Sequence, residues 1–236
     1  MGGIVILLVL IAVAVFLFYA SYSIGSGIYV KALCRGKTDK RTVCLTFDDG
    51  PDETYTPRVL DILREYQAPA TFFCIGEKAE SQRQLLKRMR AEGHLIGNHT
   101  FTHSWKFPFY SVERMREEIR RTDGCLKGSG QASFPFRPPF GVTNPTIARV
   151  VRENKLPVVG WSIRSFDTRG ESEETVFRRI VRQIQPGAVI LLHDRMPGCA
   201  SLLARLLEYL DDADYRVVPL NEMFDIPNLS EDEKNN

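Results

Sequence analysis

Hydrophobic and polar positions divide the chain into two unlike parts. The first contains an unbroken apolar run over residues 4–20, IVILLVLIAVAVFLFYA, and no charged side chain precedes Lys31. At about 1.5 Å per residue, a helix over residues 1–22 is long enough to cross the ~30 Å hydrocarbon core of a bilayer. We therefore predict a single membrane-spanning helix over residues 1–22. A cleaved signal peptide is the alternative, but it usually has a basic amino-terminal region, which this segment lacks.

The part that follows the apolar run is amphipathic. After a predicted linker over residues 23–41, strand-like runs alternate with segments of helical periodicity. The strand-like runs are 42–47, 70–76, 94–99, 133–137, 156–163, 188–193 and 215–220. The helical segments are 56–66, 81–90, 111–125, 144–154, 172–185 and 201–210. This alternation predicts one α/β domain over residues 42–225, with a mainly parallel sheet that is open or closed into a barrel, and a polar tail over residues 226–236.

Composition and charge narrow the classes of function. The 236 residues are 44% hydrophobic and 25% charged, which is ordinary for a globular domain. The net charge is +2, from 31 basic and 29 acidic side chains, so nothing favours a nucleic-acid partner. The five cysteines show no metal or disulfide spacing and are interpreted as free thiols. We expect the domain on the extracytoplasmic side of the membrane, although five basic residues between Lys31 and Arg41 favour the cytoplasmic side.

Residue types that carry chemistry follow the predicted strands. Carboxylates come after the first run, two histidines after the third, an arginine after the fourth, and a histidine ends the run over 188–193. These residues are Asp48, Asp49, His99, His103, Arg137, Asp167 and His193. In parallel α/β sheets and barrels the carboxyl ends of the strands meet at one edge, where catalytic groups collect. We therefore expect all seven side chains around one opening.

The spacing of two histidines predicts a metal site. His99 and His103 have a His-x3-His spacing that can present two imidazoles to one ion, and Asp49 supplies a third ligand. Taken alone, the FDDGP segment is also compatible with a solvated turn, and the two histidines are also compatible with a surface pair. Together they leave coordination positions open for water and substrate, as a hydrolytic metal requires. Zinc suits these ligands, and Co, Mn, Fe or Ni are alternatives.

The remaining residues supply the other parts of a hydrolytic centre. Asp48 stands beside the metal ligand and is the candidate general base, with Arg137 available to hold it ionised. His193 is the candidate general acid, because the pKa of an imidazole is nearest neutrality, and Asp167 is available to orient it.

Four segments resemble motifs of the polysaccharide deacetylase family, the NodB-homology or carbohydrate esterase family 4 domain. They are LTFDDGP (45–51), HTFTH (99–103), RPPFG (137–141) and LLH (191–193). The resemblance implies a distorted, incomplete (β/α) barrel, with the base, acid and metal ligands assigned as above. It adds the backbone N–H of Phe140 as an oxyanion donor and Leu191 as a wall of the acetyl pocket.

A fifth segment departs from the family pattern. Where the family usually reads Asp-x-x-Asp-Trp, this chain has Arg164, then Asp167 and Thr168. The aspartate that tunes the acid is kept, whereas the first Asp is replaced by a cation and the pocket Trp by Thr168. Phe166 and Trp161 are candidates to replace the lost aromatic wall. The departure bears on which substrate is bound, because the catalytic groups survive.

The predicted function is metal-dependent removal of N-acetyl groups from an amino-sugar polysaccharide, such as peptidoglycan or another N-acetylglucosamine glycan. An O-acetyl esterase on the same metal centre is one alternative. A non-catalytic, membrane-tethered glycan-binding protein is another, and Arg164 and Thr168 are the residues that favour it. A glycosidase would leave the histidine pair without a role.

Overall fold

The apolar run forms one long helix in the computed structural model, which describes residues 2–127, 134–224 and 226. Helix α1 (Gly2–Tyr22) has 21 residues, and its side chains are exposed up to Tyr19. By length and composition it can cross a membrane, a test that a signal sequence also passes. Because this surface is apolar and exposed, the helix either lies in a membrane or is cleaved off as a signal sequence.

The domain is built on a parallel sheet. Its strands are β1 (Thr42–Asp48), β2 (Ala70–Cys74), β3 (Leu95–Asn98), β4 (Ile163–Arg164), β5 (Ala188–His193) and β6 (Arg216–Val217). The order is β3-β2-β1-β5-β4, and β6 pairs with the beginning of β1. Strands β1 and β2 are buried along their whole length. Continuous burial is expected of parallel strands that are covered on both faces.

Isolated bridges continue the pairing beyond β3. Phe136 pairs in parallel with Asn98 on one side and with Val158 on the other. The chain then runs from Val158 into β4, which pairs with β5. The predicted strand over 133–137 is thus reduced to the bridges of Phe136, and residue 133 lies outside the described residues. The predicted strand over 156–163 is reduced to isolated bridges, including that of Val158, and the beginning of β4. The ring of pairings makes the parallel α/β fold consistent with a (β/α) barrel.

Helices cover the sheet. They are α2 (Thr56–Glu65), α3 (Gly76–Ser81), α4 (Arg83–Ala91), α5 (Val112–Leu126), α6 (Pro145–Glu153), α7 (Glu173–Val181), α8 (Cys199–Asp212) and α9 (Leu220–Phe224). The side chains of Ser111, Asn144 and Ser172 accept hydrogen bonds from the first turns of α5, α6 and α7, which fixes where these helices begin. Helices α3 and α9 were not predicted. Helix α3 begins at Gly76, the last residue of the predicted strand over 70–76. Helix α9 begins at Leu220, the last residue of the predicted strand over 215–220.

The segment over residues 23–41 is attached to the domain rather than extended as a free linker. The Leu33 N–H donates to the Val158 carbonyl at 2.8 Å, and the Leu33 carbonyl accepts from Gly160 at 3.0 Å. The Gly36 N–H donates to the Gly187 carbonyl at 2.8 Å. The polar and basic residues of this segment predicted a solvated linker, but its backbone is paired with the domain.

All five cysteines are free, as predicted.

Candidate metal centre and active site

The sheet brings the predicted site residues to one edge. Asp48 ends β1 and lies directly opposite His193, which ends β5. Asp49 leaves the strand in the left-handed region, with φ of 71°. This turn directs consecutive carboxylates differently: Asp48 bonds Arg137, whereas Asp49 faces the histidines.

A small residue is required after Asp49. A Cβ on Gly50 would collide with the carboxylate of Asp194, which is buried beneath the turn. Thr56 donates to that carboxylate at 2.5 Å, and burial raises the pKa of Asp194 to about 7. The Gly in FDDGP therefore lets the turn that carries the carboxylates of Asp48 and Asp49 pack on the core.

The three predicted metal ligands converge. One ligand atom from each of Asp49, His99 and His103 lies within 4.8 Å of the other two, the one such group found in the part of the chain that the structure describes. Asp49 Oδ1 is 3.5 Å from His99 Nε2 and 3.4 Å from His103 Nε2. His99 Nδ1 lies 2.8 Å from the carbonyl oxygen of Arg137, which orients the ring so that Nε2 faces the carboxylate.

The chemistry of this group suits a divalent cation. Burial, and then the charge of His99, lowers the pKa of His103 to about 3, so its imidazole is neutral and keeps a lone pair. Burial would raise the pKa of Asp49, but the hydrogen bond and charge of His99, followed by the charges of His103 and His193, lower it overall. Two imidazole nitrogens and one carboxylate are the ligands of many hydrolytic metal sites, with coordination positions left for water and substrate.

Two cations at this group were not predicted. Arg195 Nε donates to Asp49 Oδ2 at 2.9 Å, which leaves Oδ1 facing the imidazoles. Lys78, at the start of α3, donates to the Asp49 backbone carbonyl at 2.7 Å. The position of Arg195 two residues after His193 was the available signal in the sequence. For Lys78 there was no signal, because α3 itself was not predicted.

Arg137 and Asp48 form the buried side of the site. The side chain of Arg137 is fully buried, and its Nη1 donates to Asp48 Oδ1 at 2.6 Å. The remaining guanidinium nitrogens donate to the carbonyls of Val159 at 3.1 Å and Gly160 at 2.7 Å. With every donor nitrogen engaged, the guanidinium holds the carboxylate in one place.

His193 and Asp167 form the opposite side. Asp167 Oδ1 lies 2.7 Å from His193 Nδ1, and Asp167 Oδ2 accepts from the His193 backbone N–H at 2.8 Å. Burial alone would lower the pKa of His193, but the hydrogen bond and charge of Asp167 outweigh it and raise the pKa. His193 Nε2 is 4.0 Å from Asp49 Oδ2, so the imidazole faces the metal group.

One cavity of about 430 Å³ is lined by the three converging residues together with Asp48, His193, Lys78 and Arg195, whereas Arg137 and Asp167 do not line it. Phe140 and Leu191 also line it, together with Trp161, Phe166 and Thr168. The aromatic wall is close to the backbone: a Cβ on Gly141, where φ is 71°, would collide with the Trp161 ring. The structure thus brings together every site residue predicted from the sequence.

Comparisons with known proteins agree with this geometry. The family model described as polysaccharide deacetylase matches residues 35–159. A peptidoglycan-N-acetylglucosamine deacetylase of Bacillus cereus is 34% identical over 194 residues, which cover 80% of this chain and 70% of that protein. A chitooligosaccharide deacetylase of Sinorhizobium fredii is 34% identical over 170 residues, which cover 72% of this chain and 79% of that protein.

A solved structure has the same fold. The Bc1960 peptidoglycan N-acetylglucosamine deacetylase superposes with a TM-score of 0.79 and 33% sequence identity, and the match covers 84% of this chain and 94% of that one. The family model covers more than half of the chain, relatives about one-third identical extend over most of it, and the resemblance predicted from the motifs is confirmed. The chain is therefore a member of the polysaccharide deacetylase family.

Proposed function

We propose that this protein is a metal-dependent hydrolase that removes N-acetyl groups from an amino-sugar polysaccharide, such as peptidoglycan or another N-acetylglucosamine glycan. One observation carries the proposal: Asp49, His99 and His103 offer ligand atoms within 4.8 Å of one another in a cavity that Asp48 and His193 also line. The names of the relatives, deacetylases of peptidoglycan and of chitooligosaccharides, support this substrate class.

The three converging residues, Asp49, His99 and His103, would hold one divalent ion, and zinc suits their nitrogen and oxygen donors. When bound, such an ion polarises an acetyl carbonyl and lowers the pKa of a coordinated water toward ~7. Arg195 and Lys78 keep the Asp49 carboxylate and its backbone in place around this position.

Two side chains on opposite sides of the cavity carry out the proton transfers. Asp48, fixed by Arg137, takes a proton from the attacking water, whose oxygen bonds to the acetyl carbon. The backbone N–H of Phe140 donates to the resulting oxyanion. His193, oriented by Asp167, protonates the amide nitrogen as the C–N bond breaks. Acetate and a free amino sugar are the products.

The acetyl methyl needs an apolar contact beside these groups. Leu191 is 2% exposed and lines the cavity from β5. Trp161 and Phe166 line the same cavity and supply aromatic surface where the family's usual Trp is replaced by Thr168. These three side chains form the proposed acetyl pocket.

The domain organisation is part of the proposal. We assign α1 as a membrane anchor, residues 42–225 as the deacetylase domain and residues 226–236 as a tail, of which residues 227–236 lie outside the described residues. The proposed orientation is extracytoplasmic, because that is where a glycan of the cell envelope lies. The basic residues between Lys31 and Arg41 favour the opposite orientation.

The test is release of acetate from a panel of N-acetylated and O-acetylated glycans by the full chain in detergent, with and without a chelator. We expect release from N-acetylated substrates only, loss of release with chelator, and recovery on adding Zn²⁺. Asp49→Ala should lose both bound metal and turnover, whereas Asp212→Ala, an exposed carboxylate at the end of α8, should keep both. Stoichiometric metal without acetate release from any glycan would contradict the proposal, and preference for O-acetyl groups would reassign it to an esterase.

A further inference from the structure

The end of the apolar helix is fastened to the rim of the proposed active site. The Thr143 N–H donates to the Ser21 carbonyl at 2.9 Å, and the Thr143 hydroxyl donates to the Ala20 carbonyl at 3.2 Å. Ala20 is fully buried at this contact. Thr143 lies two residues after Gly141, in the loop that carries Phe140 into the cavity. The distance between the membrane helix and the site is thus fixed by hydrogen bonds.

A second cavity, of about 370 Å³, lies between the helix end and that rim. Tyr22 and Ile24 line it from the helix side. Trp161, Arg164 and Phe166 line both this cavity and the active-site cavity, so the two adjoin. A ligand whose reacting group occupies the first cavity can therefore extend toward the end of α1.

Arg164 is the available cation where the cavities meet. Its guanidinium lies 5.3 Å from the centre of the Trp161 ring and 4.8 Å from that of Phe166. No carboxylate of the described residues forms an ion pair with it. Arg179 lines the same cavity but is paired with Glu171. A guanidinium held between aromatic rings without an acidic partner is suited to bind an anion, and phosphate in particular.

An exposed aromatic side chain lies close to the end of the helix. Phe109 is 80% exposed. The carbonyl of Pro108, next to Phe109, accepts from the Asn144 side chain at 2.6 Å, and Asn144 follows Thr143. Aromatic residues are enriched where a protein meets the headgroup region of a bilayer. This side of the domain is therefore the one that faces the membrane when α1 spans it.

We propose that the cavity between α1 and the active-site rim binds the phosphate of a lipid-linked amino sugar, with Arg164 as the anchoring cation. The protein would then deacetylate a sugar that is still joined through phosphate to a membrane lipid. In a 2-acetamido sugar phosphorylated on C1, the acetamido group and the phosphate are on adjacent carbons. Such a sugar can place its acetamido group in the active-site cavity and its phosphate in the adjoining cavity. The inference rests on the proposed deacetylase function and on α1 as a membrane anchor.

The experiment uses the full chain in phosphatidylcholine nanodiscs. Its substrates are N-acetylglucosamine joined through phosphate to a farnesyl chain, N-acetylglucosamine 1-phosphate, and neutral chitotetraose. We expect kcat/KM for acetate release to be at least about tenfold higher for the lipid-linked phosphate than for chitotetraose, with the soluble phosphate between them. Arg164→Gln should reduce the ratio of the lipid-linked to the neutral kcat/KM about tenfold. Arg58→Gln, an exposed arginine on α2 that lines neither cavity, should leave the ratio unchanged.

Binding of the farnesyl-linked sugar is measured separately, so that the inference does not depend on turnover. Weaker binding to Arg164→Gln than to Arg58→Gln supports the phosphate site. Equal kcat/KM for the lipid-linked and neutral substrates, or an unchanged ratio in Arg164→Gln, overturns the inference while the deacetylase function stands. Equal competition by phosphatidylglycerol vesicles without sugar also overturns it. Absence of acetate release from all three substrates overturns the inference when the panel of N-acetylated glycans is still deacetylated. Absence of release from that panel as well contradicts the deacetylase function, and the binding comparison then decides the phosphate site alone.

Discussion

The two sides of the active site differ in how deeply they are built into the fold. On the base side, Arg137 and Asp48 have side chains that are 0% and 5% exposed, and the arginine is bonded to backbone carbonyls of the barrel. On the acid side, His193 is 16% exposed. Its partner Asp167, whose side chain is 7% exposed, begins a three-residue 3-10 helix that follows the left-handed residue Phe166, with φ of 57°.

This difference shows where the sequence of such a site is free to change. A substitution on the base side leaves a buried charge or a buried carbonyl without its partner, so stability as well as activity constrains it. On the acid side, the exposed side chains of Arg164 and Thr168 flank the proposed catalytic pair, and neither fills the buried core. Both departures from the family's Asp-x-x-Asp-Trp pattern fall on this side. We infer that it carries substrate specificity, and four substitutions test the contrast.

The largest expected effect is that of Arg137→Met. Removing the guanidinium leaves Asp48 buried without its ion-pair partner, which costs about 3–5 kcal/mol, and it displaces the proposed base. We expect the melting temperature of the full chain in detergent to fall by roughly 10 °C or more, with loss of turnover. Arg164→Met removes the same group from an exposed position and should change stability by less than about 0.5 kcal/mol. If Arg137→Met and Arg164→Met lower the melting temperature equally, the base side is no more deeply built into the fold than the acid side.

His193→Ala tests whether the acid side serves catalysis more than folding. We expect kcat to fall about 10²- to 10⁴-fold, because the leaving amine loses its proton donor. Bound metal, measured by elemental analysis, and melting temperature should stay close to those of the unchanged chain. Loss of metal would show that His193 is a ligand, and a large fall in melting temperature would place it with the buried side.

Asp167→Asn should have a smaller effect, which depends on pH. Asp167 raises the pKa of His193, and the proposed acid works in its protonated form, so activity falls as pH rises through that pKa. Without the charge, the alkaline limb of the kcat profile should move to lower pH. The raised pKa also stabilises the fold at low pH, and this contribution is lost as pH rises through it. An alkaline limb that does not move would exclude His193 as the titrating group.

The same contrast explains what the sequence could predict. The buried strands β1 and β5 have predominantly apolar runs that end in the candidate site residues Asp48 and His193, so both the strands and the site could be located from the pattern. The runs over 133–137 and 156–163 contain Pro135 and Pro157, which lack the N–H that a ladder needs, and they form bridges instead of full strands. Arg195 belongs to none of the motifs, and its contact with Asp49 depends on the path of the chain after His193.

The smallest expected effect is that of Thr168→Trp, which restores the aromatic residue usual in the family. Thr168 is exposed at the mouth of the cavity, whereas Trp161 and Phe166 already supply aromatic surface there. If these rings form the wall of the acetyl pocket, a further aromatic side chain adds little, and kcat/KM on chitotetraose should change by less than about threefold. Trp161→Leu, which removes existing aromatic wall, should cost more on the same substrate. A rise of tenfold or more in the kcat/KM of Thr168→Trp would show that the natural pocket is open at this position. The acid side would then lack a contact with the acetyl group that Trp161 and Phe166 do not supply.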